Sequence, residues 1–453
     1  MLNIHNQYNI GSQLDKAEIE VNSMGIDVKS AYRKLLEKNK DVIVLGNAQC
    51  IINWDMETMM PPSGVNMRSE QLSLLSRINH EMSTAPEIRN LLDELTKNQD
   101  NSLNEVEKRN VELIKKNYEE QTKLPSKLVS EISRQQAITV NTWKKAKAAK
   151  NFAAFRPELE KLVELDKEAA NILMDVKQTK TPYDAFIDIY EPKMTSDEIT
   201  KIFSELEKDL KIILSKIMAT KPQSDVILSN QIIPIDKQRT IAQLLTETVG
   251  YDIISPNAAG RLDETEHPFT TGYYDDVRIT THYHPKNFTS SVFSILHEAG
   301  HALYEQGLPQ EWKYQPVGAP ASMGIHESQS RLHENIIGRS THFWTSLLPK
   351  IKEIIKPSLA DIELEKFVSL INTVKPSKIR IESDEVTYSL HIIIRFQIEK
   401  DLFAGKIKVN ELPVVWNQKY EEVLGVQIEN DSEGVMQDTH WASGLFGYFP
   451  SYA

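Results

Sequence analysis

Apolar residues recur at three- and four-residue intervals over most of this chain, the pattern of amphipathic helices that bury one face. Residues 195–219 show it plainly: Ile199, Ile202, Phe203, Leu206, Leu210, Ile213 and Leu214 fall on one stripe. Ser196 precedes Glu198 as the expected N-cap, with the acidic side chain in the first turn facing the helix dipole. The same rhythm predicts helices over 29–46, 103–122, 125–150, 157–178, 236–249, 359–373 and 385–404, the first stopping at Gly46. One window departs from it. From Val277 to Tyr283 the residues alternate and are rich in β-branched types, which predicts a strand. Tyr273 and Tyr274, before Asp275-Asp276, form its expected hairpin partner. The expected architecture is mainly α, with a small antiparallel β-sheet inserted. Residues 1–28 read as a variable N-terminal extension and 29–453 as one helical domain.

Composition narrows the function classes. The chain has 453 residues, 40% hydrophobic and 26% charged, which are ordinary globular values and enough to bury a core without disulfide staples. Asp and Glu outnumber Lys and Arg by 64 to 52, a net charge of −12, and an acidic surface repels phosphate backbones, so no nucleic-acid partner is expected. The single cysteine, Cys50, cannot form a disulfide within the chain. The N-terminus lacks the basic start and apolar run of a signal peptide. No stretch approaches the ~18 apolar residues that would cross a membrane. A cytoplasmic location without membrane attachment is the expectation.

The chemistry concentrates at His297-Glu298-Ala299-Gly300-His301, inside a helical apolar pattern that includes Val292, Phe293, Leu296 and Leu303. Histidines at i and i+4 share a helix face, so both imidazoles reach one tetrahedral metal ion. Glu298 is placed to take a proton from an activated water. A third protein ligand is needed. The metzincin pattern would put it on the same segment, but its Gly and His offsets hold Tyr304 and Gly307. A glutamate on a later helix is the alternative. Glu327 fits, within His326-Glu327-Ser328-Gln329-Ser330-Arg331, and Glu305, Glu311 and Glu334 compete with it. Arg331 shares a helix face with Glu327 and Glu334 and is suited to orient a carboxylate.

Motifs along the whole chain resemble the carboxypeptidase Taq family of thermostable metallocarboxypeptidases. They are INWDMETMMPP at 52–62, HPF at 267–269, DVRITTHY at 276–283, HEAGH at 297–301, HESQSR at 326–331, IRIESDEVTYSLHIIIR at 379–395 and GVMQDTHWASGLFGYFPSY at 434–452. The resemblance implies a single-domain helical fold around a deep central groove, with the sheet beside the metal helix. It implies one divalent ion per chain, zinc first and cobalt second, and a homodimer. It implies release of single C-terminal residues from peptides with a free C-terminus, with broad preference. It assigns His297, His301 and Glu327 as ligands and Glu298 as general base.

Arginine suits recognition of a terminal carboxylate through paired, charge-assisted hydrogen bonds. Arg278 and Arg380 stand in motif segments, and the resemblance assigns the Arg380 segment to substrate binding. Arg380 is the expected clamp and Arg278 the residue that closes the groove's end. A structural ion pair of Arg380 with Glu382 or Asp384 is the competing reading. The DVRITT strand offers an edge on which an extended peptide can pair. His440 and Tyr448 are the expected oxyanion donors, although packing by Trp441, Phe446, Tyr448 and Phe449 fits the same segment. His267 is expected to line the pocket, and Gln437 and Asp438 to position substrate or His440.

Departures from the family pattern are mild within the motifs: His282 follows DVRITT, and Ser383 stands where alanine is usual. Family chains continue beyond GYFPSY, so this chain reads as C-terminally short, with Tyr448 near an end expected to fray. That reading allows a separate polypeptide to supply the remaining helices. The rival functions are a helical oligopeptidase cutting internally and a catalytically impaired helical protein or one part of a split enzyme.

Overall fold

The computed structural model describes residues 28–97, 102–220, 228, 231–265 and 267–453. The expected N-terminal extension, 1–28, lies outside the described residues except for Val28. Helices dominate, as the periodicity requires. The first half runs through α1 (Val28–Thr58), α2 (Val65–Ser83), α3 (Pro86–Lys97), α4 (Glu105–Lys123), α5 (Ser126–Ala148) and α6 (Phe152–Lys177). Then follow α7 (Pro182–Tyr190), α8 (Ser196–Met218) and α9 (Ile235–Val249). Several starts are fixed by reciprocal caps. Asn104, Thr181 and Thr195 each accept from the amide three residues on, while that residue's carboxylate bonds back to the cap N–H. The cap of α8 is therefore Thr195 and not Ser196, because only from position 195 does Glu198 close the box. Gly46 does not end α1. An internal glycine costs about 1 kcal/mol, and the following turns are held by packing on α2 and by the burial of Trp54.

The sheet has three strands, β1 (Gly260–Glu264), β2 (Thr270–Tyr273) and β3 (Asp276–Thr281), in the order β1-β3-β2. β2 and β3 form the expected antiparallel hairpin, turned at Tyr274, whose φ is 51°. β1 joins β3 in parallel, so the sheet is mixed rather than purely antiparallel. Gly272 has φ 136°, and a Cβ there would lie 2.1 Å from the Asp276 carbonyl oxygen, so the hairpin requires glycine. β3 is central because Val277, Ile279, Thr280 and Thr281 are all fully buried.

α10 (Phe288–Gln306) carries the HEAGH segment and packs on β3 and β2. Its Phe288, Val292, Ile295 and Leu296 enter a core shared with α9, α12 (Thr341–Ile355) and α13 (Leu364–Ile371). Ala299 and Ala302 meet Val277 and Ile279 of the sheet, where only small residues leave room. Between them Gly300 faces α11 (Met323–Arg331): a Cβ there would lie 2.5 Å from the Gln329 carbonyl oxygen. Small residues thus let α10 and α11 approach backbone to backbone.

α14 (Glu385–Phe403) is buried on nearly every side and forms the axis of the largest core, with α6, α7, α8 and α15 (Leu412–Leu424). A closing 3-10 turn, Phe449–Tyr452, packs on α14 and α11. Phe449 and Ser451 are buried, so the segment expected to fray is held by packing. Among the described residues no helix is long and apolar enough to cross a membrane.

Candidate active site

α10 presents His297 and His301 one turn apart, and α11 brings Glu327 up to both. Glu327 Oε2 lies 3.5 Å from His297 Nε2 and 3.3 Å from His301 Nε2. One donor atom from each residue falls within 4.8 Å of the others. Two imidazole nitrogens and one carboxylate oxygen around a common point are a donor set suited to a divalent ion of the zinc type. The spacing had left four glutamates open, and the structure brings Glu327 alone of the four between both Nε2 atoms.

Glu334 sits behind this set. A π-helical turn, Leu332–Ile337, follows α11 and places Glu334 Oε2 2.8 Å from His297 Nδ1. Arg339 Nη2 lies 3.6 Å and Arg331 Nη1 3.9 Å from the same carboxylate. Burial pushes the Glu334 pKa up, but the His297 hydrogen bond and the charges of His297, Arg331 and Arg339 bring it down to about 2. Burial lowers the His297 pKa in turn, and the Glu334 hydrogen bond with three nearby carboxylates outweighs this and raises it to about 9. His301 is backed differently. Its Nδ1 lies 2.6 Å from His326 Nδ1, and His326 Nε2 lies 2.9 Å from Glu305 Oε1. A carboxylate only accepts, so the network assigns a proton to His326 Nε2 and leaves its Nδ1 to accept from His301.

Glu298 is only 6% exposed and points toward the sheet. Its Oε2 accepts from Thr270 Oγ1 at 2.6 Å, across from α10 to β2.

The second half of the site is built on α14. Arg380, in a 3-10 turn just before that helix, is 7% exposed. Its Nε and Nη2 both lie 3.0 Å from Asp438 Oδ1, and its Nη1 donates to Tyr388 Oη at 3.2 Å. Arg395, fully buried, binds the other Asp438 oxygen through Nε at 2.7 Å and Nη2 at 2.6 Å. The structural partner of Arg380 is therefore Asp438. Asp384 instead caps α14, accepting from the Val386 and Thr387 amides. Two guanidiniums share one carboxylate here, so the cluster carries one surplus positive charge. Burial pushes the Asp438 pKa up and both arginines hold it far below the usual carboxylate range. Tyr388 links the halves: the Arg331 guanidinium sits 4.3 Å above its ring.

His440 is buried, with Nε2 3.1 Å from Tyr452 Oη and its ring stacked on Phe449. Burial first, then Arg380 and Arg395, lower its pKa to about 4 against the pull of Asp438, so it is neutral above that pH. Tyr448 meets the Tyr190 ring edge to face at 4.8 Å and Tyr452 at 5.0 Å. Burial, with Glu327 among the nearby charges, raises its pKa. Both residues are set by Glu399, which accepts from Trp441 Nε1 at 2.7 Å, Gly447 N at 2.9 Å and Tyr183 Oη at 2.8 Å.

Gln437 accepts from Arg380 N–H and donates toward the Lys378 and Glu433 carbonyls. Arg278 binds Asp276 with two parallel hydrogen bonds, of 2.7 and 2.8 Å, and lies 4.4 Å over the Trp54 ring. His267 is exposed at a bend before β2. The DVRITT strand is flanked on both sides, so it offers no edge for a peptide; the edges belong to β1 and β2.

Several groups escaped the sequence reading, among them Thr270, His326 as a partner of His301, Arg339, Tyr388, Arg395, Glu399 and Tyr452. One signal was present. Thr387, His391, Arg395 and Glu399 recur every four residues on the buried side of α14, a polar stripe that calls for partners.

Residues 34–453 match the family described as Carboxypeptidase Taq (M32) metallopeptidase. Carboxypeptidase 1 of Bacillus subtilis is 38% identical over 429 residues, covering 94% of this chain and 84% of that protein. Thermostable carboxypeptidase 1 of Thermus thermophilus is 38% identical over 433 residues, with the same coverage of 94% and 84%. A solved carboxypeptidase structure from Pyrococcus furiosus superposes with a TM-score of 0.88 at 34% identity, covering 93% of this chain and 84% of that one.

Proposed function

The chain belongs to the carboxypeptidase Taq family of metallopeptidases, and from that premise we propose that this metallocarboxypeptidase releases single amino acids from free peptide C-termini with broad preference. His297, His301 and Glu327 would hold one divalent ion, and the mixed nitrogen and oxygen donors favour zinc, with cobalt as the second choice. When bound, the ion supplies Lewis acidity to the scissile carbonyl and to the attacking water.

This chain's residues supply the rest. Glu298 accepts the proton of the water and returns it to the leaving amine. His440, neutral at working pH, and Tyr448 donate hydrogen bonds where negative charge develops on the carbonyl oxygen. Arg380 fixes the register by holding the substrate carboxylate, so that only the last peptide bond reaches Glu298. The observation that carries the clamp is the charge balance beside the metal set. Arg380 and Arg395 share one Asp438 carboxylate in a buried place, and an anionic C-terminus would complete the neutralisation.

The test is a time course of one long peptide digested by the metal-loaded protein and read by mass spectrometry. A ladder that loses one C-terminal residue at a time is expected. Internal fragments from the first time point would show an oligopeptidase instead.

A further inference from the structure

Among the described residues, the buried carboxylate of Glu298 meets a side-chain hydroxyl at Thr270, on the sheet. Thr270 Oγ1 lies 2.6 Å from Glu298 Oε2 and 3.0 Å from the Glu298 backbone oxygen. We propose that Thr270 is a positioning residue for the general base, fixing the Glu298 carboxylate through its side-chain hydroxyl. The proposal rests on the reading of Glu298 as the base.

A glutamate side chain has three rotatable bonds, and catalysis demands one orientation. Oε2 is held by Thr270, so Oε1 is left for the water. A threonine hydroxyl carries one hydrogen and can donate once. While Glu298 is a carboxylate, that hydrogen belongs on Oε2, where a charge-assisted bond is the stronger of the two.

The scaffold suits the task. Thr270 begins β2, whose register to β3 is fixed by the Thr270–Ile279 pairing. The preceding residue is tied as well: the Phe269 amide donates to Thr280 Oγ1 at 2.8 Å, and the Thr280 amide to the Phe269 carbonyl at 2.9 Å. A β-branched side chain in a strand is stiff about χ1, so the hydroxyl is presented in one place.

Two variants test this against Glu298→Gln as the control. Thr270→Val keeps the shape and removes the hydroxyl, and Thr270→Ser keeps the hydroxyl. Thr270→Val is expected to lower kcat roughly tenfold to a hundredfold, the scale of losing a group that orients a reacting side chain. KM should stay within about twofold, and zinc affinity, measured by competition with a chelator, should be unchanged. Thr270→Ser should recover most of the loss. Should Thr270→Val fail to fold by circular dichroism, Thr270→Ala replaces it. Full kcat in a folded variant lacking the hydroxyl, while Glu298→Gln is inactive, overturns the proposal and leaves the enzymatic reading intact. Equal damage in Thr270→Ser, or a loss confined to KM or zinc affinity, also overturns it. An active Glu298→Gln would instead remove the premise.

Discussion

Glu334 Oε2 stands 2.8 Å from His297 Nδ1, which turns the other ring nitrogen toward Glu327. The contact spans 37 residues and depends on a π-helical turn, so no local pattern announces it. A carboxylate on the far nitrogen of a ligating histidine fixes its tautomer and raises its basicity. Replacing Glu334 by Ala should weaken zinc affinity about tenfold to a hundredfold. Zinc competition with a chelator measures this directly. An unchanged dissociation constant would show that the contact is incidental.

Arg380 yields a different kind of prediction. Arg380→Ala should raise KM at least tenfold for peptides with a free C-terminus, the scale of a lost charge-assisted pair. Peptides with an amidated C-terminus should be affected far less. Steady-state kinetics on a matched pair of substrates separates the two cases, and equal effects on both would rule out the clamp.

Gly300 lies between the two histidines and against α11. A Cβ there would come within 2.5 Å of the Gln329 carbonyl oxygen and 2.7 Å of Ser330 Cα. Backbone cannot rotate aside, so the helices must separate. Gly300→Ala should cost ~1–3 kcal/mol of stability, the range for overpacking, and should weaken zinc binding because Glu327 moves with α11. Thermal unfolding with and without zinc reads both effects.

Asp166 predicts a pH dependence. It is buried, and burial raises its pKa to about 8, while Oδ2 has no hydrogen-bond partner. The unfolded carboxyl titrates near 4, so between about pH 4 and 8 the folded state holds a proton that the unfolded state releases. Stability from this group is thus fully present below about pH 4 and is lost as pH rises through 8. Asp166→Asn should flatten that decline and gain most over wild type near pH 8. Melting curves across this interval check the sign, and a parallel pair of curves would contradict it.

Local chemistry made much of this protein legible from sequence. The HEAGH spacing on one helix face needs only 3.6-residue geometry. What stayed hidden was set by distant neighbours. Arg380 was weighed against Glu382 and Asp384, yet its partner is Asp438, brought in by a loop that packs on α14. The DVRITT strand looked like an edge because sequence shows alternation but not what lies beside it. β1 fills that side in parallel. Thr270 is one of two adjacent threonines, and only the hairpin register shows which one faces Glu298.

The central claim is that Glu298 carries out proton transfer at a metal held by His297, His301 and Glu327. Glu298→Gln removes the basic carboxylate and leaves all three ligands in place. The decisive measurement is zinc content and peptide hydrolysis on the same Glu298→Gln preparation. One zinc per chain with turnover reduced by at least about a thousandfold is the predicted result, the scale of losing general-base catalysis. Full zinc content with hydrolysis near wild type would contradict the account.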